Sequence, residues 1–149
     1  MRAAVVYNPV KADRRALEKA IAGAQPDDWD EPVWFETAAD DDGRAAVEAA
    51  VAEGVDVALV AGGDGTVRMA AELLAGTDIA LAVLPSGTGN LLARNLGIDL
   101  TFLRASVRTA FDGKDRRIDV GWAEFEREDG GKAKHAFVVI AGFGLDAAM

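Results

Sequence analysis

The sequence predicts an α/β protein: a mostly parallel sheet with helices on both faces, followed by the start of a β-rich second domain. Three observations carry this. Short apolar runs alternate with amphipathic stretches four times up to residue 113, the pattern of βα units. The runs are nearly continuous in apolar residues, as strands covered on both faces should be. Beyond Gly113-Lys114 the alternation stops, and two strand-like runs follow with only a turn between them.

The first run, "AAVVY" (3–7), reads as a buried strand ended by Asn8-Pro9. Asp13 is placed to cap the next helix, whose inner face is Leu17, Ala20, Ile21 and Ala24. "EPVWFET" (31–37) is the second strand. Asp40, Asp41 and Asp42 then lead into a helix carrying Val47 and Val51, where the acids suit the helix dipole and read as a solvated helix start. "VDVALVA" (55–61) is the third strand, and its helix holds Val67, Ala70, Ala71 and Leu74 before stopping at Gly76. "IALAVLP" (79–85) is the fourth. A short helix through "NLLARNL" closes at Gly97, in the left-handed position that ends many helices. Asp99 then caps a helix with Leu100, Leu103, Val107 and Phe111 on one face. "RRIDVGWAEFE" (116–126) and "KHAFVVIAGFG" (134–144), joined by "REDGGK", read as a hairpin. A lone hairpin is marginal in water, so residues 114–149 are expected to open a second domain that the chain does not complete, after a first domain over 1–113. Unpaired hairpin edges also predict association between copies.

Composition narrows the function. The chain has 149 residues, half of them hydrophobic and 28% charged, an ordinary globular balance. With no cysteine and one histidine, His135, a thiolate or histidine metal site and a Ser-His-Asp triad are hard to build. His135 and the scattered Trp29, Trp34 and Trp122 read as packing residues, and Arg94, Arg104 and Arg108 as helix surface. The formal charge of −9 argues against a nucleic-acid partner and against tight docking on anionic lipid. It leaves room for a small anion, because charges beyond about 8 Å are largely screened at physiological salt. No long apolar stretch is present, and the N-terminal run is too short for a secretory signal, so a cytoplasmic setting is expected, with peripheral membrane contact left open.

Chemistry concentrates in two loops. "GGDGT" (62–66) lies between a buried strand and a helix, where open α/β sheets bind ligands. Glycines there let the main chain approach a phosphate, and the helix N-terminus offers free N–H groups. The same residues also suit a tight turn with Asp64 or Thr66 as a cap, and alone they do not separate the two readings. "PSGTGN" (85–90) occupies the equivalent place one unit later, and Asn8-Pro9 ends the first strand at the same edge. Three converging loops favour a cleft for a polyphosphate. No GxxxxGK[ST] loop is present, and "GFGLDA" (142–147) is weak as a dinucleotide turn.

"NP" after the first strand, "GGDGTV", "LPSGTGNLLARNLGI", "RRIDVG" and "GFGLDA", in this order and spacing, resemble the diacylglycerol kinase catalytic family, which includes bacterial lipid kinases and sphingosine kinases. NAD kinases share "GGDGT"; the partner loop and the "RRIDVG" return favour the lipid kinases. The resemblance implies an ATP-dependent lipid kinase that moves the γ-phosphoryl of Mg·ATP to a lipid hydroxyl, with an α/β nucleotide domain and a β-sandwich. It implies that Asn8, Thr37, Gly62, Gly63, Asp64, Gly65, Thr66, Gly87, Thr88 and Asn90 bind nucleotide. It also implies that Asp64 is catalytic, and that Asp64 and Asp119 serve the Mg²⁺.

This chain departs from the family's pattern in three ways. Leu91 stands where many members carry an acid. Arg68 and Met69 stand where many carry Asn-Glu; Arg68 reads first as an i,i+4 partner of Glu72, and second as positive charge toward phosphate. The family's general base and most of its lipid site fall beyond residue 149, so the chain alone is expected to bind nucleotide with little or no kinase activity. A NAD-kinase-like phosphotransferase and a non-catalytic nucleotide-binding module are the alternatives.

Overall fold

The computed structural model describes residues 1–38, 41, 43–127 and 129–141. Four strands, β1 (Ala3–Tyr7), β2 (Val33–Glu36), β3 (Val57–Gly62) and β4 (Ala80–Pro85), form one sheet in the order β2-β1-β3-β4. Every pairing in it is parallel. Tyr7 lies opposite both Glu36 and Ala61, and Gly62 opposite Pro85, so the carboxyl ends of all four strands line up.

Side-chain alternation divides the core into two layers. Ala4, Val6, Ala58, Val60 and Val83 face α2 (Arg44–Ala52), α3 (Asp64–Leu74) and α4 (Leu91–Leu96). Val5, Tyr7, Leu59, Ala61 and Leu84 face α1 (Arg14–Ala22) and α5 (Leu103–Asp112). Leaving β1 the chain moves outward to β2 over one face; returning to β3 and on to β4 it uses the other. That is the arrangement right-handed crossovers require when the direction across the sheet reverses. Burial on both faces explains the unbroken apolar runs of β1 and β3, all of whose residues are buried.

Local signals place the helix starts. Asp13 accepts from Ala16 N at 2.7 Å, as a cap should. Asp41 accepts from Gly43 N (2.8 Å) and Ala45 N (2.9 Å), so this acid of the run does sit at a helix start. Those two amides hold its carboxyl below the usual aspartate range. Gly97 closes α4 at φ 72°.

Two expectations are corrected. The helix expected to start at Asp99 begins at Leu103, because Asp99 spends its carboxylate on Thr101 N (2.7 Å) in an Asx turn. Leu100 then packs into the α2–α4 layer, while Leu103, Val107 and Phe111 pack into the other. The hairpin exists but is shorter than its apolar runs: β5 (Gly121–Glu126) pairs antiparallel with β6 (Lys132–Phe137). After Phe137 the chain bends, which leaves residues 116–120 no strand to pair with among the described residues. "GFGLDA" and the acids Asp40 and Asp42 lie outside the described residues.

Trp29 stacks edge-on to Phe111 at 4.9 Å and Trp34 edge-on to Tyr7 at 6.1 Å, so both do pack. Trp122 is on the hairpin, with the Lys134 ammonium 4.6 Å from its ring. No helix among the described residues is long and apolar enough to cross a membrane.

Candidate active site

The loops after β1, β2, β3 and β4 meet at the carboxyl edge of the sheet. Asn8 N donates to Ala61 O (2.9 Å) and Thr37 N to Tyr7 O (2.9 Å), so both residues extend the strand pairing by one step. The helices after β1 and β3, adjacent strands, depart to opposite faces. Open α/β sheets bind ligands at such a divergence.

The two glycine loops touch. A Cβ on Gly87 would come 2.8 Å from Gly63 Cα, a backbone atom that cannot move aside cheaply. A Cβ on Gly62 would lie 2.7 Å from Thr66 Cβ. Gly65 is different: it is exposed in the first turn of α3, and a Cβ there would meet nothing within 4 Å. Packing gives no reason for a glycine at that position, although glycine costs a helix interior about 1 kcal/mol against alanine.

Asp64, read from sequence as a helix cap or a catalytic acid, caps a helix other than its own. Its Oδ1 accepts from Leu91 N (2.6 Å) and its Oδ2 from Asn90 N (3.1 Å), at the start of α4. Asn90 stands at φ 49°, the only non-glycine with positive φ among the described residues. Asparagine tolerates that region better than most residues. Its side chain folds back on Gly87, accepting from N (2.9 Å) and donating to O (2.6 Å). Arg94 Nε donates to Gly89 O (2.7 Å), so this helix arginine fastens the loop rather than merely facing solvent.

The helices that follow strands therefore differ at their N-termini. α1 is closed by Asp13, α2 by Asp41 and α4 by Asp64. α3 begins at Gly63 with no side-chain cap, and the N–H groups of Asp64, Gly65 and Thr66 have no acceptor among the described residues. Free amides on an oriented helix dipole attract an anion.

Thr37 adds a second unmet group. It is 6% exposed, and its Oγ1 is buried without a hydrogen-bond partner among the described residues. Such hydroxyls are rare, because leaving one unpaired costs about 1–3 kcal/mol. Thr88 is exposed at the tip of the fourth loop.

Asp119 is exposed in the segment between α5 and β5, and no hydrogen bond or ion pair ties it to these loops among the described residues. Nor do the described residues contain a group of three or more His, Asp or Glu side chains able to hold a metal ion. Magnesium needs no such cage when phosphate oxygens and water supply most of its ligands. Asp64 keeps lone pairs beyond the two amides it accepts, so the residues present fit an ion that arrives with a phosphate chain.

Beside Asp64 lies a cavity of about 220 Å³. Its walls are mostly apolar and include Leu91, Leu92, Phe137, Val139 and Ile140. β6 is fastened here through Glu72, whose side chain is 9% exposed. Glu72 Oε2 accepts from Ala136 N (3.0 Å) and Arg68 Nη1 (2.9 Å), and Oε1 from Arg44 Nη2 (2.8 Å). Burial pushes the Glu72 carboxyl up, but the Ala136 amide and the two guanidinium groups outweigh it and hold it below its ordinary value. Arg68 thus pairs with Glu72, as its spacing suggested. His135, exposed on the hairpin, lies 6.4 Å from Phe125, ring to ring. A larger cleft of about 400 Å³, between Trp29 and Trp34, sits at the amino end of β2, away from these loops.

Sequence reasoning missed the Arg44 and Ala136 links to Glu72, which no local spacing encodes, and it missed Lys11. Lys11 lies on the turn after β1, and a Cβ on Gly63 would collide with its Nζ. A base two residues beyond Asn8-Pro9 was the available signal.

Residues 2–123 match the profile of the diacylglycerol kinase catalytic domain. A solved structure of a diacylglycerol kinase from Bacillus anthracis str. Sterne is similar in fold: TM-score 0.65, 23% identity, 88% of this chain and 45% of that one. A second solved structure from that organism, assigned to the diacylglycerol kinases, gives TM-score 0.64, 24% identity and coverages of 83% and 46%. The chain thus spans less than half the length of either. No curated protein matches it in sequence.

Proposed function

The chain belongs to the diacylglycerol kinase catalytic domain family, and from that premise we propose that it forms the nucleotide-binding part of an ATP-dependent lipid kinase. The observation that carries this is the open N-terminus of α3: the helices after the other strands of the parallel sheet are each closed by a carboxylate, and this one presents three amides with no acceptor among the described residues. The phosphate chain of ATP lies against Gly63–Thr66 and the edge of Gly87–Asn90. Gly65 leaves the space open, and Asn8 and Thr37 flank it, with the Thr37 hydroxyl gaining a partner.

In the reaction the acceptor hydroxyl oxygen bonds to the γ-phosphorus, the bond to the bridging oxygen breaks, and ADP leaves. The hydroxyl proton passes to a general base that the family resemblance places beyond residue 149. Mg²⁺, when bound, neutralises phosphate charge; Asp64 and Asp119 are the carboxylates proposed to serve it. The apolar cavity beside Asp64 suits an acyl-bearing acceptor better than a polar one. Residues 114–141 are read as the opening of the acceptor-binding domain.

Calorimetry with Mg·ATP tests the binding, and transfer of labelled γ-phosphate to diacylglycerol in mixed micelles tests the reaction. The expected result is binding by the 149-residue chain, with transfer weak or absent unless a domain supplying the general base is added. Failure to bind Mg·ATP overturns the reading. Transfer to NAD in place of lipid would favour a NAD-kinase-like enzyme, and binding without transfer by the extended chain a non-catalytic module.

A further inference from the structure

We propose that Lys11 is a phosphate-contacting residue of this site, holding its ammonium over Gly63 beside the open end of α3. The assignment rests on the nucleotide reading above and adds to it a cation that the glycine loops do not supply.

The turn after β1 fixes where Lys11 goes. Asn8 O accepts from Lys11 N (3.0 Å) and Ala12 N (2.8 Å), and Asn8 Oδ1 accepts from Val10 N (2.9 Å). Ala12 is buried, which anchors the turn, while Lys11 is exposed. Because Tyr7 and Ala61 are in register, this turn stands beside the end of β3. The aliphatic part of Lys11 then crosses Gly63: a Cβ there would lie 3.5 Å from both Cδ and Cε, and would collide with Nζ. Gly63 has φ −86° and ψ −177°, an extended conformation open to any residue. Its backbone angles do not call for glycine, and the atoms that a Cβ there would meet first all belong to the Lys11 side chain.

The electrostatics point outward to a ligand. The chain carries 25 acids against 16 lysines and arginines, yet Lys11 makes no ion pair among the described residues. Asp64, the acid nearest in the loop, directs both oxygens to the amides of α4. An ammonium held over an uncapped helix N-terminus places positive charge beside positive charge. A bound anion reverses the sign of that arrangement. The buried Thr37 hydroxyl, without a partner among the described residues, is an independent sign that this edge expects a further polar group.

The test is calorimetric, with Mg·ATP and with inorganic tripolyphosphate as separate probes, on wild type, Lys11→Ala, Lys11→Gln and Lys11→Arg. Lys11→Ala and Lys11→Gln should each bind both probes about tenfold more weakly, the scale of one hydrogen bond to a charged group. Their affinities should also depend less on ionic strength, and Lys11→Arg should recover most of the loss. Lys11 is exposed, so unchanged thermal unfolding of all three variants checks that the fold is intact. Equal affinity of Lys11→Ala and wild type for tripolyphosphate overturns the assignment and leaves the nucleotide reading standing. Wild type that binds neither probe overturns both.

Discussion

Leu91 N lies 2.6 Å from Asp64 Oδ1, so the acid in the loop after β3 closes the helix that follows β4. A single carboxylate therefore couples the two loops proposed to hold the nucleotide. Asp64→Ala should lower stability by about 1–2 kcal/mol, the range for losing a helix cap, and should abolish phosphate transfer by the chain extended with a domain supplying the general base. Urea unfolding and a transfer assay separate the two effects. Stability loss with transfer intact would make Asp64 a cap alone.

Gly65→Ala should move stability and binding in opposite directions. A Cβ there meets nothing within 4 Å, so the helix should gain about 0.5–1 kcal/mol. If the first turn of α3 receives phosphate, the same methyl intrudes on it, and Mg·ATP affinity should fall by about tenfold or more, the cost of overpacking. A plain turn would show the gain in melting temperature without the loss.

Thr37→Val removes a buried hydroxyl that has no partner among the described residues and keeps the shape. The ligand-free protein should be as stable or about 1 kcal/mol more stable, and Mg·ATP should stabilise it less than wild type in a thermal-shift measurement. A variant stabilised equally by nucleotide would show that the hydroxyl faces something else.

Glu72 should report in acid. Its folded pKa lies below its ordinary 4.5, so between the two values the unfolded chain binds more protons and stability rises with pH. The Glu72 contribution is fully present above the ordinary value and is lost as pH falls through the folded one. Glu72→Gln should cost about 1–3 kcal/mol at neutral pH and flatten the stability profile below it. Because Ala136 N donates to Glu72, hydrogen exchange at Ala136 should quicken most.

Much of the fold was legible in the sequence, and the reason is burial. β1 and β3 are covered on both faces, so their apolar runs are unbroken, and the helices between them carry one apolar stripe each. Asp13 was legible because its partner, Ala16, is three residues away. The Asp64 cap was not, because Asn90 and Leu91 are 26 and 27 residues away. Asp99 misled for the opposite reason: it resembles a cap, but a nearer amide takes its side chain. The hairpin ends were misjudged because a strand lasts only as long as its partner does. The glycine loops were legible as loops at one edge of the sheet, whereas the ammonium over Gly63 depends on the register of β1 with β3.

That register also sets the order of assembly. β1 is made before the other strands of its sheet, and it is flanked on both sides by later ones. Its pairing with β3 needs residues 57–61, so most of the chain up to β3 must be synthesised before the centre of the sheet can close. No pair in the sheet is a hairpin, and every contact across it spans a helix. Such non-local closure makes folding slow relative to helical proteins of similar size. Until β3 docks, the apolar run Ala3–Tyr7 has one edge open to other chains. The topology that brings Asn8, Lys11 and Gly63 to one point thus leaves the β3-facing edge of β1 unpaired until residues 57–61 are made.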